Sequence, residues 1–202
     1  PLEKPAVTFD VKAIQIKDLT KDQVVISKDQ WSELEWAYDS KPQYLKYNSI
    51  IVVARGEPKA YVFKGHEADQ VVVSNQFIVV NLQTEDLKPE FLAWYFNHSQ
   101  AMRSYFEMNS RGSQLMMLNI STLKEASIVI PSLQQQEEIL QLSEDVNREA
   151  LAFNGVSIIC VHNHPSGDAH PSSEDINMTQ KLIELGKMMN VDIVDHIIIG
   201  RN

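Results

Sequence analysis

The feature that most constrains the fold is a change of character near residue 135. Residues 1–135 carry 14 Lys and Arg against 16 Asp and Glu, a net charge of −2, whereas residues 136–202 carry 4 against 11, a net charge of −7. The hydrophobic pattern changes too, from runs typical of paired strands to a strand, loop, helix and strand in succession. We therefore predict two modules, 1–131 and 151–202, joined by a helix and junction at 132–150.

Strand signals dominate the middle of the first module. Residues 49–55 and 60–63 are rich in β-branched and aromatic residues and flank a Gly-Glu-Pro-Lys turn. Residues 71–81 are predicted to form one further long strand, so that together these segments make a mainly antiparallel sheet or a partly closed barrel. A helix beginning at Pro89 follows, because apolar residues recur at helical spacing as far as Phe106.

A second helix is predicted across the change in composition. A short strand at 126–130 ends at Pro131, and Ser132 with Gln135 matches the capping box of a helix start. The apolar stripe of this helix is predicted to comprise Leu133, Leu140, Leu142, Val146 and Leu151. A buried strand at 156–161, a loop at 162–171, a helix at 174–189 and a strand at 193–199 then give an α/β pattern.

The most specific motif lies after the strand at 156–161. It is His-Asn-His-Pro-Ser-Gly-Asp over residues 162–168, followed by Ser-Ser-Glu-Asp over 172–175. His162 and His164 are two residues apart at a strand end and can point to one side, and Asp175 in the next helix can reach the same point. Two imidazoles and a carboxylate are good zinc ligands, and three protein ligands leave a fourth position for water. Such a metal lowers the pKa of its water to about 7.

The same residues allow a simpler interpretation. Ser172 and Asp175 can form a plain helix cap, with the carboxylate favoured by the helix dipole, while both histidines lie in the loop without a ligand. Because Pro165, Gly167, Ser172 and Asp175 are all in place around the His-x-His pair, the metal site is favoured over this alternative.

Three other residues receive no chemical role. His170 is expected to be exposed in the loop, and His196 to be a structural residue of an apolar strand. Cys160 is expected to be a small core residue and not a nucleophile.

A family resemblance now rests on these residues. His162-x-His164-x10-Asp175 with Ser172 resembles the JAMM motif of the MPN metalloprotease fold. The longer string at 162–168, together with Asp-His-Ile-Ile-Ile-Gly at 195–200, resembles the bacterial RadC family over about 147–200. The resemblance implies zinc bound by the two histidines and the aspartate, with Ser172 in a supporting role near the oxyanion position.

The same resemblance implies a part that this chain lacks. A glutamate on an upstream strand serves the family as general acid/base, and no equivalent is found, since Glu144 and Glu149 stand in a different context. We therefore expect a truncated RadC-like JAMM domain, a partial α/β MPN fold, that binds zinc with absent or very weak turnover.

The first module carries a second resemblance. Segments 47–55, 73–77, 87–95, 112–113 and 130–139, in this order, resemble the target-recognition domain of type I restriction–modification specificity subunits. The resemblance implies an α+β domain with a mainly antiparallel sheet and a following long helix, which binds duplex DNA and reads its bases. It also implies methyltransferase and restriction subunits as partners. Because only one such domain is present, we expect a bipartite DNA site to require a homodimer through the helix from Ser132.

A DNA-binding surface needs cations for phosphates and Arg or amide groups for base edges. The candidate phosphate contacts are Lys46, Lys59, Lys64, Arg103 and Arg111, and the candidate base readers are Arg55 and Gln114. Each of them can instead be an ordinary solvated side chain. An aromatic cluster in the helix from Pro89 is expected to be core and not a base-stacking platform; it comprises Phe91, Trp94, Tyr95 and Phe96.

Three functional hypotheses remain open. The leading one is sequence-specific DNA binding by a specificity-subunit-like protein that carries a non-catalytic zinc segment. The alternative is a RadC-type zinc metallohydrolase directed to its target by an N-terminal binding module. In the third hypothesis, the two modules are a fusion with no joint function.

The sequence also bears on cellular location. No apolar run approaches the roughly 20 residues that cross a bilayer, and residues 1–4 lack the pattern of a signal peptide. The single cysteine excludes an internal disulfide. We expect a cytoplasmic protein without membrane contact, in a chain whose missing initiator Met suggests an excerpt.

Overall fold

The computed structural model describes residues 9–19, 24–26, 31–36, 41–109, 117–153, 157–189 and 192–200. The chain divides into two compact units. The first comprises Pro1–Asn97 and Met102–Leu133, and the second comprises His98–Ala101 and Gln134–Asn202.

Two sheets form the framework of the first unit. In one, β1 (Phe9–Ile14) lies between β3 (Ser32–Trp36), to which it is antiparallel, and β6 (Val71–Val73), to which it is parallel. The other has the order β2 (Val25–Ile26), β5 (Ala60–Phe63), β4 (Ile50–Val53) and β7 (Phe77–Val80). In that sheet β4 is antiparallel to both neighbours, whereas β2 is parallel to β5.

The core of the first unit centres on β4 and β5. Every residue of both strands is buried, as the continuous apolar runs of a strand covered on both faces predict. One face joins a cluster that comprises Ile14, Ile26, Leu45, Ile51, Val53, Tyr61, Phe63, Val71 and Phe77. The strands predicted at 49–55 and 60–63 are therefore present as β4 and β5, with the second matching to the residue.

The predicted long strand at 71–81 is wrong. The segment forms two strands in different sheets, β6 and β7, separated by a turn in which Phe77 N donates to Ser74 O over 3.2 Å. The polar residues at 74–76 allow the chain to leave one sheet and enter the next. The run of β-branched residues on each side of the turn hides this change.

The predicted helix from Pro89 to Phe106 is in fact two helices, α1 (Pro89–His98) and α2 (Gln100–Asn109). The apolar spacing continues across the break at Ser99, so periodicity alone does not reveal it. All six residues from Phe91 to Phe96 are buried, which confirms that the aromatic cluster is core. Asn97 fixes α1 to β5, because its side chain accepts from Ala60 N (2.8 Å) and donates to Ala60 O (2.9 Å).

The predicted strand at 126–130 is also wrong. The sequence does not predict the helix α3 (Ile120–Glu125) that precedes this segment. Its N-cap is Asn119, whose side chain accepts from Thr122 N over 2.8 Å. Residues 126–130 follow without strand pairing, and Val129 is 65% exposed. Because a strand requires a partner ladder, β-branched residues alone do not make one here.

The second unit consists of a long helix followed by a strand–helix–strand element. The helix α4 (Leu133–Phe153) begins one residue after Ser132, as predicted. Gln136 and Ser143 are its buried positions among the side chains that the structure describes, and Leu133 is exposed. The predicted apolar stripe is thus wrong at Leu133. The side chains of Leu142, Val146 and Leu151 lie outside the described residues.

The parallel strands β8 (Ser157–Asn163) and β9 (Asp192–Ile199) are connected through α5 (Ser173–Met189). The predicted strand at 156–161 continues to Asn163, so the loop does not begin at His162 as expected. Nor is β8 buried on both faces, because exposed and half-buried residues alternate along it. Ile159 and Val161, on its exposed face, are each 56% exposed. Of the helices that the structure describes, none combines the length and apolar character needed to cross a membrane.

Candidate metal centre

The strand β8 carries the first of three converging side chains. Alternation along β8 places His162 on the half-buried side, away from the exposed Val161 and Asn163. His164 follows the strand end and is held there because its N–H donates to Ile199 O over 3.0 Å. The two imidazole centroids lie 4.9 Å apart.

The loop after His164 needs glycine at two positions. Gly167 has a φ of +84°, a conformation that other residues rarely adopt, and its N–H donates to His164 O over 3.0 Å. Gly200, just after β9, packs against this loop. A Cβ at Gly200 would lie 2.4 Å from the carbonyl oxygen of Gly167. Both glycines therefore hold the loop close to the strand ends.

Asp175 is oriented by the start of α5. Ser172 donates to Asp175 Oδ2 from both its hydroxyl (2.6 Å) and its backbone N–H (2.7 Å), and Asp175 N–H lies 3.2 Å from Ser172 Oγ. These bonds are the reciprocal contacts of a capped helix start. The hydrogen bonds from Ser172 lower the pKa of Asp175 to about 2. The carboxylate is therefore ionised at neutral pH.

The structure brings the three predicted ligands together. His162 Nε2 lies 3.1 Å from Asp175 Oδ1, and His164 Nε2 lies 3.1 Å from Asp175 Oδ2. One ligand atom from each residue lies within 4.8 Å of the others. Tetrahedral zinc with bonds of about 2.0–2.1 Å separates its ligand atoms by about 3.3 Å. Both nitrogen–oxygen distances are close to this value, which makes the three side chains a candidate site for a small divalent cation.

The hydrogen bonding of both histidines points to the same fit. His162 Nε2 is buried and has no hydrogen-bond partner among the residues that the structure describes, although it lies within 3.1 Å of the carboxylate. His164 Nδ1 lies 2.7 Å from Asp168 O. A carbonyl only accepts, so Nδ1 carries the proton and a neutral His164 presents a lone pair to Asp175 at Nε2. A lone pair facing a carboxylate requires a proton or a cation between them.

His196 is the neighbour that sequence reasoning missed. Its Nε2 lies 2.9 Å from His162 Nδ1, and its Nδ1 lies 2.7 Å from Thr179 Oγ1. The Thr179 hydroxyl in turn donates to Asp175 O over 2.7 Å. The parallel register pairs Cys160 with His196, and alternation then places His196 on the same side as His162. A strand–helix–strand pattern read with this register would have revealed the contact.

The remaining residues near the motif have other partners. His170 is exposed, as expected, and its hydrogen bond with Asp168 raises the pKa of the imidazole. Cys160 is half-buried, and burial raises the pKa of its thiol, so the thiol stays protonated at neutral pH. Glu138 pairs with Lys181 over 2.6 Å. Among the side chains that the structure describes, no glutamate joins the two histidines and Asp175.

Two of the DNA-contact candidates lie at one end of the β4–β5 hairpin. Arg55 and Lys59 flank the turn in which Gly56 has a φ of +103°. Arg55 is exposed and forms an antiparallel bridge with Met117, and Leu118 N donates to Ala54 O over 2.9 Å. The residue that follows segment 110–116 thus pairs beside Arg55. Arg111 and Gln114, within that segment, lie outside the described residues.

The other candidates are placed elsewhere. Lys64 lies at the opposite end of the hairpin, where its ammonium bonds to Asn48 Oδ1 (2.7 Å) and to Glu90, and lies 5.2 Å from the Tyr47 ring centroid. Arg103 is exposed on α2, and Lys46 is exposed in the segment before β4. The structure therefore separates Lys64 from Arg55 and Lys59.

Two family models match this chain. The type I restriction modification DNA specificity domain matches residues 9–158, and the RadC-like JAB domain matches residues 122–202. The second match begins further upstream than the region 147–200 recognised from the motif. Residues 122–158 are shared by both matches.

Curated relatives resemble a part of the chain. A UPF0758 protein of Clostridium botulinum (strain Hall) is 61% identical over 54 residues, which are 27% of this chain and 24% of the relative. A UPF0758 protein of Methanosarcina mazei is 49% identical over 78 residues, 39% of this chain and 33% of the relative. The chain thus spans between a quarter and a third of the length of these relatives.

Solved structures resemble the larger part of the fold. The HsdS subunit from Thermoanaerobacter tengcongensis superposes with a TM-score of 0.52 at 17% identity, covering 73% of this chain and 38% of that subunit. A chain from a structure on complex assembly and conformational transition of the type I R-M system gives 0.53 at 17% identity, covering 73% and 39%. Together with the family matches, these likenesses confirm the predicted α+β domain followed by a partial α/β segment.

Proposed function

The chain belongs to the type I restriction modification DNA specificity domain family, and from this premise we propose that it binds duplex DNA with sequence specificity. The family match over residues 9–158 is the observation that carries the proposal. The functional modules that we propose keep the bounds 1–131 for DNA recognition, 132–150 for a spacer-like helix and junction, and 151–202 for the RadC-like segment.

The DNA-contacting surface that we propose lies at the turn of the β4–β5 hairpin. Arg55 and Lys59 lie there, and the bridge from Arg55 brings Met117, the residue that follows segment 110–116 in the sequence, to the same place. That segment carries Arg111 and Gln114. The proposed surface thus has three cationic side chains and one amide, which are the kinds of group that contact phosphates and read base edges. Lys64, bonded to Glu90 and Asn48, stays outside this surface.

A DNA titration of the full chain at several salt concentrations tests this proposal. Binding that involves roughly 6–10 phosphates should weaken by about 10³–10⁵-fold between about 50 and 200 mM salt. Arg55→Ala should weaken binding, whereas Lys64→Met and the exposed Lys17→Ala should leave it near the wild-type value. Absence of binding at low salt would refute the proposal. Equal losses for Arg55→Ala and Lys64→Met would refute the assigned surface.

We also propose that methyltransferase and restriction subunits supply the chemistry, and that two copies of the chain read a bipartite site. The likeness covers 38% of the HsdS subunit, and in this proposal each copy contributes the recognition module at residues 1–131. The two copies would associate through α4. Light scattering of the chain mixed with a palindromic duplex tests this pairing. A complex with the molar mass of one chain and one duplex would exclude the homodimer.

A second function is favoured by the geometry of the His162, His164 and Asp175 cluster, and we propose that these residues hold zinc. The buried, unpartnered Nε2 of His162 and the Nε2 of His164 that faces Asp175 support it. Zinc bound by three protein ligands would act as a Lewis acid toward the carbonyl of a peptide or isopeptide bond. Ser172, whose hydroxyl is bonded to Asp175 Oδ2, orients the carboxylate.

We propose that this segment binds zinc without efficient turnover. A general base must come within hydrogen-bond reach of the attacking water, and among the described side chains no glutamate does so beside this cluster. The metal content of the purified chain and of His162→Ala tests the zinc proposal. Zinc-dependent cleavage of a peptide or isopeptide substrate, lost in His162→Ala, would overturn the proposed lack of turnover and favour the metallohydrolase hypothesis.

A further inference from the structure

A continuous hydrogen-bond chain connects one proposed zinc ligand to the backbone of another. It runs from His162 through His196 and Thr179 to the carbonyl oxygen of Asp175, with successive distances of 2.9, 2.7 and 2.7 Å. It joins β8, β9 and the first turn of α5. All four residues are half-buried, so their hydrogen bonds are partly shielded from water.

The carbonyl oxygen of Asp175, at the end of this series of hydrogen bonds, fixes the direction of every bond in it. A carbonyl oxygen only accepts, so the single hydroxyl proton of Thr179 is committed to Asp175 O. Thr179 Oγ1 must then accept from His196, and the proton of a neutral His196 therefore lies on Nδ1. His196 Nε2 is left as an acceptor.

The same logic sets the tautomer of His162. Because His196 Nε2 accepts, His162 Nδ1 must carry the proton that it donates over 2.9 Å. The lone pair of His162 then lies on Nε2, the buried nitrogen that faces Asp175. This is the nitrogen that a metal at the cluster would bind.

We propose that His196 and Thr179 are positioning residues that hold His162 in its metal-binding tautomer and ring orientation. The inference rests on the zinc site proposed above and adds residues outside its ligand set. Metal-bound histidines generally donate their second N–H to a carboxylate, a carbonyl or water. His164 does so to Asp168 O, whereas His162 uses a neutral imidazole, which adds no negative charge to the site.

The hydrogen-bonded series from His162 through His196 and Thr179 to Asp175 O is called the relay below. Thr179 allows a nearly isosteric test of it. Its hydroxyl bonds to the carbonyl four residues earlier in α5, a common side-chain bond of Thr in helices. Thr179→Val removes the hydroxyl and keeps the shape, so His196 Nδ1 loses its acceptor. Thr179→Ser restores the hydroxyl. His196→Ala removes the relay at its centre, and the exposed His170→Ala is the matched histidine control.

The experiment measures zinc affinity of the full-length chain by competition with a chromophoric chelator. Loss of such outer contacts typically lowers affinity by about 10–100-fold. We expect that loss for His196→Ala and Thr179→Val at unchanged maximal stoichiometry, and near wild-type affinity for Thr179→Ser and His170→Ala. Two-dimensional ¹H–¹⁵N spectra of the imidazoles should show the proton on Nδ1 of His162 and His196, and loss of that single tautomer in Thr179→Val.

The outcomes separate this inference from the site on which it rests. A wild-type chain that takes up no zinc overturns the proposed metal site, and the relay with it. The relay alone is overturned if the wild-type chain binds zinc and the zinc affinities of His196→Ala and Thr179→Val lie within twofold of the wild-type value. Equal losses in Thr179→Ser and Thr179→Val would also overturn it, because a restored hydroxyl should restore binding.

Discussion

The strands of the two units differ in how completely their side chains are covered. Every residue of β4 and β5 in the first unit is buried, whereas half or more of the residues of β8 and β9 in the second unit are exposed. The exposed face carries large apolar side chains, among them Ile159, Val161 and Ile199. The first unit therefore has a core covered on both sides of its central strands, whereas in the second the described residues leave one face of the β8–β9 sheet exposed.

This difference indicates that the two units depend on different kinds of contact. In the first, the arrangement follows from apolar packing between segments far apart in sequence. In the second, the proposed zinc ligands are held by short-range bonds, from Ser172 to Asp175 and from His164 to Asp168, and by the relay through His196. The side chains of the proposed metal site are thus locally ordered even where one face of the sheet stays exposed.

The largest expected effect is the difference in lost stability between truncating a buried residue of β5 and truncating an exposed residue of β8. Phe63 is fully buried in β5, so Phe63→Ala should cost about 3–5 kcal/mol. Val161→Ala, on the exposed face of β8, should cost under about 1 kcal/mol. All three tryptophans, Trp31, Trp36 and Trp94, belong to the first unit. Their fluorescence during urea unfolding therefore measures the stability lost in Phe63→Ala. Hydrogen exchange of the β8 amides measures the stability lost in Val161→Ala. Comparable losses at both positions would show that β8 is covered after all.

Zinc should stabilise the second unit selectively. A ligand at a concentration 100 times its Kd adds about 2.7 kcal/mol to the stability of the state that binds it. Amide exchange in residues 157–200 should therefore slow on zinc addition, while the urea midpoint of tryptophan fluorescence stays constant. The Asp175→Asn variant serves as the control, since its amide is a poorer zinc ligand. Equal protection of residues 9–97 would mean that the units do not respond separately.

Gly200 offers a smaller and more local perturbation. A Cβ there would lie 2.4 Å from Gly167 O, so Gly200→Ala must displace the loop that follows His164. Such overpacking typically costs about 1–3 kcal/mol. We expect weaker zinc binding with unchanged tryptophan fluorescence. Gly56→Ala, where no atom lies within 4 Å of the added Cβ but φ is +103°, is the control for backbone strain in the first unit. Unchanged zinc affinity in Gly200→Ala would show that the loop yields without disturbing the site.

The smallest effect is a pH dependence of the metal-free second unit. The pKa of Asp175 is lowered from 3.8 to about 2, chiefly by hydrogen bonds from Ser172. A depressed carboxyl pKa contributes stability above pH 3.8 and loses it as pH falls through about 2. Ser172→Ala should raise the pKa of Asp175 and flatten this loss, which carbon NMR of the carboxyl group can follow. An unchanged pKa in Ser172→Ala would show that Ser172 does not set the charge of the ligand.

The sequence revealed local features better than it revealed pairing. The ligand set at His162, His164 and Asp175 follows from spacing along a strand, a turn and a helix start, and these side chains do converge. The strand at 60–63 was predicted to the residue because a turn marks its start. In contrast, the break at 74–76, where the chain changes sheet, lies between two equally β-branched runs and leaves no periodic signal.

Other features depended on information that no local pattern contains. His196 stands beside His162 only through the register of β8 and β9, which are separated by the whole of α5. Val161 is 56% exposed, whereas its sequence surroundings are those of a buried strand. The residues at 126–130 have strand-forming side chains but no ladder among the described residues.

X-ray absorption at the zinc edge of the full chain, loaded with one equivalent of zinc, tests the central claim most directly. We expect two imidazole nitrogens and one carboxylate oxygen as protein ligands at about 2.0–2.1 Å, with the imidazole signal reduced in His162→Ala. A sulfur ligand, which only Cys160 or a methionine could supply, would contradict it. So would a shell of oxygen atoms that is identical in wild type and variant.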